Sequence, residues 1–332
     1  MGGGGQQVSV VSARRGTDRR DVKRVRRAAS WPWGRAAGAI SSGAVFIAFV
    51  GTLTGGLSYA GAVTERGSAT ASVSGSGVVD SGLPVRVLLL GDSTALTLGE
   101  GLGSAAVESE YNDVLYNAGI VGCGVADGPE VEVMGERDSV GPACNGSVPA
   151  PGTPLAQQPW PVQWQHDLAV DRPNVVALLA GRWEVLDREY AGKWTNILHP
   201  AFAAYVKRQL ELASSLVNSA GARLVFLTAP CTDEGVQPDG APWPEENPAR
   251  LSAYNTLLNE VAAEHPQLDS VANLGTAACP RGRYSTTKDG VTIRTVDDGV
   301  HFSPAGGVVL APYVMPQIVA AGRAQAAAAS AA

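Results

Sequence analysis

The stretch VRVLLLGDSTALTLGEGL, residues 85–102, breaks off an apolar run at Gly91-Asp92-Ser93. A buried strand that ends in glycine, with a hydroxyl at the mouth of the next helix, is a place where serine can be a nucleophile. It is equally a place where serine caps a helix. DDGVHFSPAGG, residues 297–307, supplies a second half to the chemistry. Asp298 stands three residues before His301 in a Gly-containing turn. One turn can therefore present a carboxylate to the imidazole Nδ1 and leave Nε2 to take a hydroxyl proton. Together these residue types can carry out acyl transfer. Ser93 would be the nucleophile, His301 the general base and then acid, and Asp298 the group that orients the ring.

Such a serine also needs donors for the charge that develops on the carbonyl oxygen. The Ser93 N–H, at a helix start, is one. NAGIVGCG, residues 117–124, offers backbone with few side chains in the way, and Gly122 is the candidate there. Its other reading is a plain tight turn.

The elements that must position these groups alternate in type. Short apolar runs at 85–90, 113–119, 174–181, 222–230 and 268–274 read as strands buried on both faces, as in a parallel sheet. Helical spacing follows Ser93 and recurs over 199–219 and 248–265. The segment from Ser303 opens with a capping serine and Pro304 at the first helical position. Strands alternating with helices predict an α/β domain with a parallel sheet. Residues 125–162, rich in Pro and Gly, read as a long loop. Residues 281–297 carry a hairpin signal around Asp289-Gly290.

At this point the chain resembles a known family. Gly-Asp-Ser near the start of the domain, a glycine after the second strand and Asp-x-x-His further on are similar to the motifs of the SGNH hydrolases, also called the GDSL esterase family. The resemblance covers about residues 84–325. It implies a three-layer α/β/α sandwich with a flavodoxin-like parallel sheet, a Ser93–His301–Asp298 triad, and oxyanion N–H groups from Ser93 and Gly122. One block departs. The family carries Gly-x-Asn-Asp after the third strand, its Asn completing the oxyanion hole, whereas this chain has Gly181-Arg182-Trp183-Glu184. Either the hole keeps backbone donors alone or Arg182 supplies a charged one. Arg182 can also form an ion pair with Glu184 or Asp187.

LLAGRWEV, WPVQWQHDLAVDRPNVV, the Cys-containing glycine block and DGVHFSPAG are similar to the extracellular SGNH domains of membrane acyltransferase-3 proteins. That resemblance implies O-acetyl groups on cell-envelope polysaccharide as substrate, with any acyl donor coming from a separate membrane partner. Of five tryptophans at 160, 164, 183, 194 and 243, Trp160, Trp164 and Trp183 are candidates to stack on a sugar, the other reading being burial.

Charge and composition bound the setting. Residues 1–35 carry a net +7 and the chain beyond residue 63 carries −13, with no charge over 36–63. The acidic main domain argues against nucleic acid as a partner. The uncharged stretch is long enough to cross a bilayer, and the basic block before it places the acidic domain outside. The expected organisation is a basic cytoplasmic tail at 1–35, one transmembrane helix at 36–63, a flexible linker at 64–83, the hydrolase domain at 84–325 and a frayed helix or tail at 326–332. Ala60-Gly61-Ala62 also fits a signal cleavage site, which would release a secreted protein.

The four cysteines, Cys123, Cys144, Cys231 and Cys279, suit two disulfides in an oxidising compartment, with three connectivities open. No Cys or His spacing suits a metal, and no cofactor is expected. The expected function is an extracytoplasmic serine esterase that removes small acyl groups from carbohydrate. The alternatives are an O-acetyltransferase with the same triad and an inactive polysaccharide-binding module.

Overall fold

The computed structural model describes residues 84–108, 113–295 and 298–331. The expected tail, transmembrane segment and linker at 1–83 lie outside the described residues. Eleven strands and six α-helices follow in order among those residues: β1 (Arg86–Gly91), α1 (Ser93–Glu108), β2 (Val114–Gly119), β3 (Glu130–Val133), β4 (Glu136–Ser139), α2 (Trp160–Asp171), β5 (Val175–Leu179), β6 (Asp187–Tyr190), β7 (Lys193–Thr195), α3 (Pro200–Ser219), β8 (Arg223–Leu227), α4 (Pro248–Glu264), β9 (Asp269–Ala272), α5 (Leu274–Ala278), β10 (Thr287–Lys288), β11 (Val291–Thr292) and α6 (Pro304–Ala331).

The five apolar runs form one parallel sheet in the order β2-β1-β5-β8-β9. Counting only these strands, the order is 2-1-3-4-5, the flavodoxin-like arrangement. The central strands carry no alternation because both their faces are covered. Leu88, Leu90, Val176, Leu178, Leu224 and Phe226 pack with the apolar faces of α2, α3 and α4. Val87, Leu89, Val175, Ala177, Val225 and Leu227 pack with α1, α5 and α6. The result is a three-layer α/β/α sandwich, as expected.

The order in which strands are added reverses between parallel β1 and β5, so the crevice beyond their carboxyl ends is where such sheets bind ligands. Gly91 makes that crevice tight. Its φ is +138°, and a Cβ there would lie 1.7 Å from the Leu179 carbonyl oxygen at the end of β5. Only glycine lets the two strand ends close up this far.

One expectation needs correction. Residues 125–162 are not one long loop. They contain the β3–β4 hairpin, which pairs with β6 and β7 in a four-stranded antiparallel sheet, and they end at the start of α2. The sequence Glu136–Ser139 is wholly polar and exposed, so its strand comes from pairing and carries no apolar signal. The alanine-rich end from residue 326, expected as a frayed helix or a tail, continues α6 as far as Ala331, in keeping with the high helix propensity of alanine. Helix α6 is long and apolar enough to cross a membrane, but half of its apolar window is buried in the domain. The Asp289-Gly290 hairpin forms as expected, with Thr287 paired to Thr292.

Candidate active site

Ser93 is the first residue of α1, directly beyond the end of β1. The cap of that helix is not Ser93 but its neighbour. Asp92 Oδ1 accepts the Thr94 N–H at 2.8 Å and the Thr94 hydroxyl at 2.5 Å. Relieved of capping, the Ser93 hydroxyl points elsewhere, and its Oγ lies 2.9 Å from His301 Nε2. Burial pushes the Asp92 carboxyl up to about 6, with the charge of Glu184 adding to the rise and the bonds from Thr94 opposing it.

His301 is held from the other side by Asp298, whose Oδ2 lies 2.8 Å from Nδ1. Asp298 Oδ1 accepts the N–H groups of Val300 at 2.8 Å and His301 at 3.0 Å. Burial opposes ionisation of Asp298. The bond to the His301 ring, the two backbone N–H groups and the Thr295 hydroxyl outweigh it and hold the carboxyl well below the usual carboxylate range.

The turn that carries the pair is fixed by contacts across the fold. Gly299 has φ +69°, and a Cβ there would meet the Asp233 carbonyl oxygen at 1.6 Å. Buried Arg294 donates to the Val300 carbonyl at 2.5 Å and to the Cys231 carbonyl at 2.9 Å, and burial lowers its guanidinium to about 10. The Phe302 N–H donates to the Thr97 hydroxyl of α1 at 3.2 Å, which ties the histidine segment to the serine helix. Ser303 caps α6 as expected, its Oγ accepting the Gly306 N–H at 2.9 Å.

The candidate oxyanion donors sit beyond neighbouring strands. The Ser93 N–H lies in the first turn of α1, where no intrahelical acceptor exists. The loop after β2 is hung on β1 by the Ile120 N–H, which donates to the Gly91 carbonyl at 2.8 Å, and Gly122 within it has φ +74°. Disulfides join Cys123 to Cys144 and Cys231 to Cys279, which settles the open connectivity. The first bond borders Gly122. The second fastens the loop that packs on Gly299.

Arg182 is held by acids through Nη2, while its buried Nη1 has no hydrogen-bond partner among the described residues. Its Nη2 meets the Glu234 carboxylate at 2.5 Å and lies 3.7 Å from Glu245, with the side chain 8% exposed. Neither expected partner holds it: Asp187 pairs with Arg250, and buried Glu184 accepts backbone N–H groups. Trp160 and Trp164 are also misread as sugar platforms. One turn apart on α2, they are 0% and 1% exposed, with ring centroids 4.4 Å apart in the core. Trp183 remains half-buried beside the site. Among the described residues no group of His, Cys, Asp and Glu could hold a metal ion.

Local sequence reasoning missed three supports. Asp92 as the cap was visible as Asp-x-Thr, a common helix-start pattern. Glu184 and Arg294 act across 59 and 63 residues, and no local signal marks them.

No protein-family model matches the chain, and no curated protein matches it. Solved structures do. A carbohydrate acetylesterase family member from Sinorhizobium meliloti is 13% identical with a TM-score of 0.43, the match covering 70% of this chain and 97% of that one. A lipopolysaccharide acetyltransferase periplasmic domain from Salmonella ser. Paratyphi A is 12% identical with a TM-score of 0.43, covering 71% and 84%. TesA is 18% identical with a TM-score of 0.39, covering 69% and 96%. All three are under 25% identical to this chain, so the likeness is one of fold alone.

Proposed function

We propose that this protein is a serine esterase that removes small acyl groups, O-acetyl above all, from carbohydrate. The observation that carries the reading is the relay Ser93 Oγ to His301 Nε2 at 2.9 Å and His301 Nδ1 to Asp298 at 2.8 Å. As Ser93 Oγ attacks the ester carbonyl, Nε2 takes its proton. The negative charge moves to the carbonyl oxygen, where the N–H groups of Ser93 and Gly122 stabilise it. Collapse expels the alcohol, which takes the proton from Nε2, and leaves an acyl group on Ser93. Water activated by the same nitrogen then releases the acid. No cofactor takes part.

The carbohydrate ester follows from the similarity of the glycine, Arg-Trp-Glu and histidine blocks to the acyltransferase-3 SGNH domains. The acetylesterase and acetyltransferase named among the neighbours agree with it. A sugar hydroxyl in place of water would make the same acyl-enzyme an O-acetyltransferase, with a separate membrane protein as acyl donor. The half-buried Ser93 and His301 leave the acyl group within reach of either acceptor. A binding module without catalysis needs no such relay. The two disulfides support an extracytoplasmic domain, held by an anchor at 36–63 or released after cleavage there.

The test is release of p-nitrophenol from its acetate ester by the full-length protein, with Ser93→Ala as control and an oligosaccharide acceptor in parallel. Release that Ser93→Ala abolishes is the expected result. Acetylated oligosaccharide among the products would make transfer the main reaction. A folded protein with no release above the control would leave the binding module as the function.

A further inference from the structure

The chain lacks the Asn that completes the oxyanion hole in the family it resembles, and Arg182 is held through Nη2 by Glu234 and Glu245. One other donor stands in the same block. Trp183 is the third residue of Gly181-Arg182-Trp183-Glu184, just beyond the end of β5, and is half-buried. Its ring packs against the glycine loop: Cζ2 and Cη2 lie 3.7 and 3.9 Å from where a Cβ of Gly122 would stand. The edge beside Gly122 is thus the six-membered-ring edge that adjoins the pyrrole N–H, Nε1 lying two bonds from Cζ2. Among the described residues no hydrogen bond engages that N–H. By contrast, the Trp183 backbone is pinned, its carbonyl accepting Arg188 Nη2 at 3.1 Å. The next residue, Glu184, accepts two N–H groups of the loop that holds Gly122.

We propose that the Trp183 indole N–H is the third oxyanion donor, acting with the N–H groups of Ser93 and Gly122. This inference rests on the esterase reading above. The three donors come from the carboxyl ends of three adjacent strands, β5, β1 and β2. An indole N–H donates and cannot accept, so it has no competing role toward a developing anion. Its ring is rigid and held by packing, which is the preorganisation that oxyanion stabilisation requires.

The experiment compares full-length wild type with Trp183→Phe, which keeps a ring and removes the N–H, on p-nitrophenyl acetate. The expected result is a fall in kcat of about 10- to 1,000-fold with KM nearly unchanged. Trp183→Asn, which restores a side-chain donor, should retain more activity than Trp183→Ala. As a second readout, the Trp183 indole N–H resonance, assigned by triple-resonance connectivity in the wild type, should move downfield when a fluorophosphonate occupies Ser93. A Trp183→Phe enzyme with unchanged kcat, or with only a raised KM, overturns the proposal, as does an indole resonance that stays in place. Those outcomes leave the esterase reading standing. A wild type that neither hydrolyses the ester nor is phosphonylated at Ser93 overturns both.

Discussion

Glu184 Oε1 accepts the Val125 N–H at 2.7 Å and the Ala126 N–H at 3.1 Å, so a carboxylate beyond β5 holds the loop beyond β2. That loop carries Gly122. Removing the acceptor leaves two buried N–H groups without a partner, at a cost of about 1–3 kcal/mol for each. Glu184→Ala should therefore lower the thermal midpoint and cut kcat on p-nitrophenyl acetate about tenfold or more. Glu184→Gln, which keeps an acceptor oxygen, should lose less of both.

Asp298 should act on rate with little effect on binding. Asp298→Asn keeps the shape of the turn but offers Nδ1 an amide, which favours the wrong tautomer of His301. By analogy with the serine protease triad, kcat should fall by about 10³–10⁴ with KM nearly constant. Steady-state kinetics on the same ester, set beside Ser93→Ala, is the check.

Two acids near Ser93, buried Asp92 and half-buried Asp298, pull stability in opposite directions with pH. Asp92 is raised to about 6 in the folded protein from 3.8, so folding binds a proton between those values, and stability falls as pH rises through them. Wild type should thus lose up to about 3 kcal/mol relative to Asp92→Asn between about pH 4 and pH 7. Asp298, held below the usual range, has the reverse effect. Its contribution is present above the unfolded carboxylate value and is lost as pH falls toward the folded one. Urea melts of wild type, Asp92→Asn and Asp298→Asn across pH 3–8 separate the two.

Reduction should silence the site before it unfolds the domain. The disulfides close loops with sequence separations of 21 and 48 residues, each tied to a segment of the site. Losing either should cost about 2–4 kcal/mol of stability. Activity should drop at reductant concentrations that leave the far-ultraviolet circular dichroism unchanged. Paired replacement of Cys123 and Cys144 by Ala tests the glycine loop alone.

The parallel sheet was legible because its strands are buried on both faces and so read as unbroken apolar runs such as RVLLLG and VVALL. The convergence of Ser93, Asp298 and His301 was legible because strand-end and turn chemistry are local. What escaped depends on pairing at a distance. Helix α2 carries only Trp160, Trp164 and Leu168 as buried residues, set among prolines, so its tryptophans looked like loop aromatics. The ERDS strand has no apolar face at all. Arg182 chose Glu234, 52 residues away, over the nearby acids, a choice set by tertiary packing.

Ser93 and His301 stand 208 residues apart in the chain, and every core strand of the sheet after β1 lies between them. A ribosome must therefore translate more than two hundred further codons after Ser93 before the histidine that faces it exists. Throughout that synthesis the nascent chain carries Ser93 without its imidazole partner. On the proposed mechanism, premature termination anywhere in that interval would yield a product without acyl-transfer capacity.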